Sequence, residues 1–271
     1  MLIDEVLGDR RWLVLTGAGV STDSGIPDYR GPGAPVRTPM TGSEFRSGPE
    51  ARRRYWARAY VGWSAMGTAR PNPTHAALAE LERLGRVRAI ITQNVDGLHT
   101  AAGSAEVVDL HGRLDRVVCL GCGELGDRAS LQERMAVLNP GFADEGLEVL
   151  PDGDVALEAT AGFTVPSCTT CGGDLKPDVV FFGENVPPAR VATCAQLVED
   201  AEALVVLGSS LHVFSGRRFV KHAHQRGIPI VIVNRGETRG DPLATLKLDL
   251  GCAEVMGQAL ATYATSATSV V

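Results

Sequence analysis

Short apolar runs alternate with segments of helical periodicity along this chain, and that alternation limits its fold more than any other feature. Runs of β-branched or aliphatic residues lie at residues 12–16, 88–92, 107–110, 204–208, 228–233 and 245–250. Between several of them, apolar residues recur at helical spacing at residues 74–84, 189–203 and 215–226. Strands that alternate with helices predict an α/β fold, a doubly wound parallel sheet of the Rossmann-like type.

Two stretches interrupt the alternation. Residues 32–83 contain a part rich in Pro, Gly and Arg, and residues 116–175 contain two pairs of cysteines. We predict that these two insertions together form a smaller helical, zinc-binding domain. The Rossmann-like domain, which we expect to bind a dinucleotide, then comprises residues 1–31, 84–115 and 176–271.

Composition is that of an ordinary globular protein. Hydrophobic residues make up 44% and charged residues 21% of the 271 residues, and the apolar runs are too short to span a bilayer. The net charge of −6 comes without a basic run, so we expect neither nucleic-acid nor membrane binding. The first residues lack the pattern of a signal peptide, which predicts a cytoplasmic protein with reduced cysteines. The oligomeric state is left open, although a monomer is compatible with the sequence.

A glycine-rich turn follows the first apolar run directly. Gly17 and Gly19 predict a close approach of backbone N–H groups to a ligand, as where α/β proteins hold a dinucleotide pyrophosphate. The pattern departs from the usual fingerprint, because the third small residue is Thr22 and no helical period begins there. The polar loop at residues 25–31 is expected to extend beyond the pyrophosphate. This suggests that a reaction takes place at the end of the cofactor beyond the phosphates. A plain surface turn is the alternative that the glycines alone leave open.

Polar or small residues stand where the other predicted strands end. Because the carboxyl ends of parallel strands share one edge of a sheet, we expect these residues to meet there. They are Gln93 and Asn94, His111, Gly208 and Asn234.

Three residues near this edge have specific candidate roles. Asn94 and Asp96 can bind an amide such as nicotinamide, although either can instead cap a helix. His111 is the natural general base, because the site offers no other obvious one, and a structural histidine is its alternative. His99 is expected to be a structural hydrogen-bonding residue.

The two C-x-x-C pairs form the most specific metal signal. Two such turns bring four thiolates to one ion, and four thiolates leave no open position, so we predict one structural zinc site. A redox-active pair is the competing interpretation. The ligands are Cys119, Cys122, Cys168 and Cys171.

The extended segment at residues 176–184 is the candidate site for a substrate peptide. Its proline disfavours a central strand and is compatible with an edge to which a peptide adds as a further strand. An ordinary buried strand is the alternative.

Taken together, these motifs resemble the sirtuins, NAD-dependent protein lysine deacylases. The resemblance covers nearly the whole chain, and the details at Tyr29 and Ser209 are similar to the class II lineage that includes the mitochondrial sirtuin 4. The matching residues are Gly17-Ala18-Gly19-x-Ser21, Ser24-Gly25-Ile26-Pro27-Asp28-Tyr29-Arg30, Gln93-Asn94-x-Asp96-x-Leu98-His99, His111-Gly112, the cysteine pairs, Gly208-Ser209-Ser210 and Asn234-x-Gly236.

The resemblance implies that the chain transfers an acyl group from lysine to ADP-ribose and releases nicotinamide. It implies His111 and Asn94 as catalytic residues, with His111 deprotonating a ribose hydroxyl after nicotinamide has left. The NAD-binding residues that it implies are Gly17, Ala18, Gly19, Ser21, Ser24, Ile26, Asp28, Tyr29, Arg30, Gln93, Asn94, Val95, Asp96, Gly208, Ser209, Ser210, Asn234, Arg235, Gly236 and Cys252.

Substrate residues are likewise implied by the resemblance. The acyl-lysine segment is expected at Val180, Phe182, Gly183 and Glu184. Tyr55 and Arg58 have the spacing with which some sirtuins bind acidic acyl groups, and a solvated helix face is the alternative. Protein mono-ADP-ribosyl transfer and a non-catalytic NAD- or zinc-binding module are the alternative functions.

Overall fold

The computed structural model describes residues 3–29, 39–142 and 160–268. Within these ranges the strands are β1 (Trp12–Thr16), β2 (Val87–Thr92), β3 (Val107–Asp109), β4 (Gly112–Cys119), β5 (Leu125–Asp127), β6 (Leu175–Val179), β7 (Ala203–Leu207), β8 (Ile230–Val233) and β9 (Leu246–Leu248). The helices are α1 (Ile3–Leu7), α2 (Gly42–Arg46), α3 (Pro49–Thr68), α4 (Pro73–Arg83), α5 (Leu98–Ala101), α6 (Arg128–Leu138), α7 (Pro188–Glu199), α8 (Phe214–Gln225) and α9 (Cys252–Thr268).

A six-stranded parallel sheet forms the larger part of the molecule, with the strand order β3-β2-β1-β7-β8-β9. The order reverses between β1 and β7, whose residues Thr16 and Leu207 are register partners. Open sheets of this kind bind ligands outside the carboxyl ends of the strands at this switch point. The predicted fold class is therefore confirmed, and the site is expected at the ends of β1 and β7.

Both faces of this sheet are covered by helices. Alternate residues of a strand point to opposite faces, so each strand contributes side chains to both. Trp12 and Val14 pack with α1, α4 and α9 in one buried cluster. Leu13 and Leu15 pack with α7 and α8 in a second cluster on the other face. Burial on both faces explains why the strands appear in the sequence as continuous apolar runs.

A three-stranded antiparallel sheet, ordered β5-β4-β6, forms the smaller part with α2, α3 and α6. Its core joins residues from both predicted insertions, such as Phe45 and Trp56 from the first and Leu131 and Met135 from the second. Pro177 lies in β6, an edge strand, as its missing N–H group requires.

Helix α4 packs with the larger sheet. Its residues Ala77, Leu78 and Leu81 are buried in the same cluster as β1 and α9. The predicted limit at residue 83 assigned this helix to the smaller domain. The domain limits stay a prediction, and these contacts favour moving that limit to about residue 72.

The predicted helices are found with small shifts at their ends. The segment predicted at 74–84 is α4, which ends where Gly85 adopts a left-handed φ of +74°. The segment predicted at 189–203 ends earlier, at Glu199, because β7 begins at Ala203. None of the helices in the described ranges has both the length and the hydropathy needed to cross a bilayer.

Two buried histidines, His75 on α4 and His99 on α5, pack against each other near the end of β1. The ring centroids of His75 and His99 are 4.7 Å apart, and His99 Nε2 is 3.0 Å from Thr16 Oγ1. Burial lowers the pKa of His99 to about 3 and also lowers that of His75, against an opposing effect of Asp96. The structural role expected for His99 therefore agrees with its burial, and both rings are neutral at pH 7.

We predict that this burial makes the fold sensitive to acid. Because His99 binds a proton far more weakly when folded than in the unfolded chain, its stabilisation is complete above about pH 6.5 and is lost as the pH falls. Below pH 6.5, each pH unit should cost about 1.4 kcal/mol for this group. Urea unfolding of the wild type and of His99→Gln between pH 7 and 5 measures this loss of stability. The comparison isolates His99, because the carboxylates contribute equally to both proteins. Equal slopes of unfolding free energy against pH in the two proteins would contradict it.

Candidate functional site

The loops after β1 and β7 meet at the switch point through their backbones. The N–H groups of Gly17 and Gly19 donate to the carbonyl oxygens of Leu207 and Gly208, at 3.0 and 2.9 Å. A Cβ on Gly17 would lie 2.7 Å from the Gly208 oxygen, and Gly208 itself has a φ of +58°. These two N–H groups are thus used between the loops. The glycines are needed because the two loops pack closely against each other. The sequence had predicted instead that their N–H groups are free to bind a phosphate.

A cavity of about 910 Å³ opens at this edge of the sheet, large enough for a sizeable ligand. The predicted NAD-site residues that line it are Gly17, Ala18, Gly19, Ser21, Ile26, Asp28, Tyr29, Gln93, Asn94, Val95, Asp96, Gly208, Ser209, Ser210, Asn234, Arg235, Gly236 and Cys252. The lining also includes His111, Tyr55, Val180, Phe182, Gly183 and Glu184.

Among the described residues predicted for the NAD and substrate sites, Ser24 and Arg58 are not in that lining. Arg30 lies outside the described residues. Ser24 instead accepts a hydrogen bond from Asn72 Nδ2 at 3.0 Å, which ties its loop to the start of α4. Arg58 is half-buried on α3 and is not among the lining residues, although Tyr55, one helical turn earlier, is.

A hydrogen-bonded group of three side chains forms one wall. Ser21 Oγ donates to Asp96 Oδ2 at 2.7 Å and accepts from Asn94 Nδ2 at 3.0 Å. Asp96 Oδ1 also accepts from the N–H of Leu98 at 2.9 Å, a bond across the start of α5, although the N-cap of that helix is Gly97 and not Asp96. These bonds fix the amide of Asn94 and the carboxylate of Asp96 beside the cavity, where they can meet a ligand amide.

His111 is held at both ring nitrogens. Nδ1 lies 2.9 Å from the carbonyl oxygen of Gln93, and Nε2 lies 2.7 Å from Ser215 Oγ. Burial lowers the pKa of His111, and the charge of Arg190 lowers it further, while the bond to Gln93 raises it. The ring is therefore neutral at pH 7 and can accept a proton, as a general base must.

The segment after β6 forms a clamped turn on the opposite wall. The N–H of Val180 donates to the His111 carbonyl at 2.7 Å, and the Phe182 carbonyl accepts from Gly42 at 3.0 Å. Glu184 accepts from the N–H of Phe181 at 3.0 Å. Residues 180–184 are thus neither an ordinary buried strand nor a regular edge, because the strand itself ends at Val179.

Glu184 also joins this turn to the smaller domain by charge. Its carboxylate forms ion pairs with Lys176 and Arg46, each at 3.1 Å. Lys176 is buried, and its ammonium also donates to the Val179 carbonyl, so the pair is well satisfied by hydrogen bonds. The contacts hold the segment at a fixed distance from His111.

Four thiols meet at the far end of the smaller domain. The Sγ atoms of Cys119, Cys122, Cys168 and Cys171 all lie within 4.8 Å of one another, and two of the separations are 3.4 and 3.9 Å. Tetrahedral zinc with Zn–S bonds of about 2.3 Å needs sulfur separations of about 3.8 Å, so this donor set could hold one zinc ion. The backbone N–H groups of Gly121 and Cys122 donate to Cys119 Sγ, at 3.3 and 3.5 Å, and would stabilise the negative charge of a thiolate there.

The remaining two cysteines are buried and remote from this cluster. Burial raises the pKa of Cys194 to about 11 and that of Cys252 to about 12, so both are inert thiols at pH 7. Cys252 begins α9 at the edge of the cavity.

The sequence analysis missed Ser215, which belongs to the first turn of α8. It stood in a segment predicted as an ordinary helix, and its partner His111 is 104 residues away. No local pattern marks such a contact, because it depends on how α8 docks onto the sheet.

Comparison with known proteins gives one consistent result. The model of the Sir2 family matches residues 17–215. NAD-dependent protein deacetylase 1 of Mycobacterium avium (strain 104) is 56% identical over 256 residues, covering 93% of this chain and 91% of the relative. The mitochondrial NAD-dependent protein lipoamidase sirtuin-4 of Homo sapiens is 50% identical over 254 residues, covering 91% and 81%.

Solved structures agree with this result. A Sir2 complex with a p53 peptide and NAD+ superposes with a TM-score of 0.78 at 33% identity and covers 96% of both chains. A Sir2 enzyme bound to a propionylated peptide superposes with a TM-score of 0.74 at 31% identity, covering 95% of both. From the family match, the relatives and the shared fold we conclude that this chain belongs to the Sir2 family, as its motifs predicted.

Proposed function

We propose that this protein is an NAD-dependent protein lysine deacylase, which moves the acyl group from lysine to ADP-ribose and releases nicotinamide. One observation carries the proposal: a neutral imidazole, His111, faces a cavity at the switch point of a dinucleotide-binding sheet. The names of the relatives, deacetylase and lipoamidase, support the same reaction class. A module that only binds NAD would need no base in this position.

The residues present fit NAD. The loops after β1 and β7 would hold the pyrophosphate through groups other than the N–H groups of Gly17 and Gly19, which bond between the loops. Their small residues in the cavity lining are Gly17, Ala18, Gly19, Ser21, Ser209 and Ser210. The turn Asn234-Arg235-Gly236 would hold the adenosine ribose, and the start of α9 at Cys252 would meet adenine. Bound NAD would supply a ribose carbon from which nicotinamide can leave.

Side chains and backbone of this protein would then orient the cofactor and the substrate and remove a proton. Asn94 and Asp96, fixed by Ser21, would bind the nicotinamide carboxamide. The turn at residues 180–184 would bind the backbone of the substrate peptide and direct its acyl-lysine toward the cavity. His111 would take a proton at Nε2, while its Nδ1–H remains bonded to the Gln93 carbonyl.

Mass spectrometry of the reaction products tests the proposal. The protein is incubated with NAD and peptides that carry acetyl-, lipoyl- or glutaryl-lysine, each matched to the unmodified peptide. We expect deacylated peptide, free nicotinamide and O-acyl-ADP-ribose in equal amounts, with no nicotinamide release above background from the unmodified peptide. ADP-ribosylated protein without O-acyl-ADP-ribose would instead favour mono-ADP-ribosyl transfer, and no nicotinamide release with any acyl-peptide would refute deacylation.

The acyl preference of the pocket rests on Tyr55 and Arg58. Tyr55 is buried against Phe45 and Phe181 and lines the cavity, whereas Arg58 does not. We propose that binding of an acidic acyl group would recruit Arg58, whose guanidinium matches a carboxylate in geometry.

We predict that Arg58→Met lowers kcat/KM for a glutaryl-lysine peptide by about tenfold or more, the effect of losing one charge-assisted pair. The same peptide with acetyl-lysine is the matched control and should change little. An equal loss on both peptides would remove Arg58 from the acyl site.

The cytoplasmic location, the absence of nucleic-acid or membrane partners and the oligomeric state stay predictions.

A further inference from the structure

The contact between Ser215 and His111 has a direction that the hydrogen-bond geometry determines. A carbonyl oxygen can only accept, so the bond to Gln93 O, at 2.9 Å, places the proton of the neutral ring on Nδ1. Nε2 therefore presents its lone pair, and the Ser215 hydroxyl, 2.7 Å away, donates to it. The ring nitrogen that must accept a proton from substrate is the one that contacts Ser215.

We infer that Ser215 is a positioning residue for the general base, holding the Nε2 lone pair of His111 at the cavity where a substrate hydroxyl must reach it. The inference rests on the proposed function. A hydroxyl both donates and accepts, so one side chain can serve both charge states of the ring. The single Nε2 lone pair accepts one hydrogen bond at a time, so the Ser215 hydroxyl turns its proton away as the substrate hydroxyl approaches. When the substrate O–H bond breaks, its electron pair stays on the substrate oxygen and the Nε2–H bond forms. The imidazolium can then donate to Ser215 Oγ, and Gln93 still accepts from Nδ1–H.

The surrounding structure fixes both hydrogen-bond partners of the His111 ring. Ser215 is the second residue of α8, whose Phe219, Val220 and Ala223 are buried in the core beside the sheet. Gly216 packs so closely that a Cβ there would lie 2.5 Å from Gln93 Oε1. The position of Oγ is therefore set by packing of α8 on the loop after β2, and the ring of His111 is oriented by two anchored partners.

Charge contributes little to this contact. Arg190 on α7, which donates to the Leu110 carbonyl at 3.2 Å, is the charged group that acts on His111 most directly. Asp28, Asp96, Glu184 and Arg218 line the same cavity. Because Ser215 is neutral, its removal should disturb the orientation of the base and leave the field of these charges in place.

Separate measurement of two steps of the reaction tests the inference. In the order of steps that the family implies, nicotinamide leaves before His111 takes a proton. Exchange of isotope-labelled nicotinamide into NAD, with acyl-peptide present, therefore reports the step before the base acts. We expect Ser215→Ala to lower kcat for deacylation about tenfold, the effect of one hydrogen bond, and to change the exchange rate less than about twofold. Ser215→Thr keeps the hydroxyl and should recover most of the loss.

Three outcomes would overturn the inference. They are unchanged deacylation in Ser215→Ala, equal losses of deacylation and exchange, or no recovery in a Ser215→Thr protein that binds NAD with wild-type affinity. The wild-type protein separates this inference from the proposed function. If it releases no nicotinamide with any acyl-peptide, the proposed function fails, whereas an active wild type with an unaffected Ser215→Ala refutes only the role of Ser215.

Discussion

His111→Ala should abolish deacylation while NAD still binds. A positioned general base contributes about 10²–10⁴-fold to a rate, and of the two histidines in the described lining, His111 and His212, only His111 is held at both ring nitrogens. NAD affinity should change little, because the loops proposed to hold the phosphates and the adenosine do not depend on this ring. The measurements are kcat on an acetyl-lysine peptide and the dissociation constant of NAD by calorimetry.

A second histidine of the chain provides the control. His224 is exposed on α8 and does not line the cavity, so His224→Ala should keep wild-type kcat. Deacylation by His111→Ala at the wild-type rate would remove His111 from the mechanism. Loss of NAD binding together with activity would assign the ring to cofactor binding.

Removal of zinc should destabilise the smaller domain and inactivate the protein. Four thiolates at one ion tie the turns after β4 and before β6, and structural zinc sites contribute on the order of 10 kcal/mol in small peptides at neutral pH. The same domain contributes Tyr55 to the cavity wall, and ion pairs of Arg46 and Lys176 with Glu184 hold the segment after β6, so activity should be lost with the metal. We expect about one zinc per chain by mass spectrometry, and a chelator should lower both the Tm and kcat.

Point substitutions distinguish the loss of a zinc ligand from the loss of any other buried cysteine. Cys168→Ser should bring the zinc content close to zero and lower the Tm. Cys194→Ala removes a buried thiol of α7 outside the cluster and should retain zinc at the wild-type level. A Cys168→Ser protein with full zinc content and an unchanged Tm would refute the four-cysteine site.

The six strands of the larger sheet and three helices that cover it could be predicted from the sequence, for a physical reason. Strands β1 and β7 are buried on both faces, so each leaves an uninterrupted apolar run. Helix α4 has an apolar stripe and a glycine at its end, and each signal spans only a few residues. The zinc ligands were found for the same reason, because two cysteines of one turn must be close in sequence.

The candidate site was found only in part from the sequence. Residues directly after strands, such as Asn94 and His111, were identified because parallel strands bring their ends to one edge. The interpretation of Gly17 and Gly19 missed their contact with the β7 loop. Arg58 was chosen by its spacing from Tyr55, which puts both on one side of α3, but only Tyr55 is among the lining residues, so the role of Arg58 stays a prediction.

By itself, the sequence determined the parallel sheet, the two insertions, the four thiols and the polar residues at the strand ends, because each follows from local periodicity or short spacing. Tertiary structure alone decided the hydrogen bond between Ser215 and His111, the ion pairs of Glu184 and the packing of α4 with the larger sheet. Each of these joins segments far apart in the chain, and such contacts depend on how helices and loops dock in space, which no short stretch of sequence encodes.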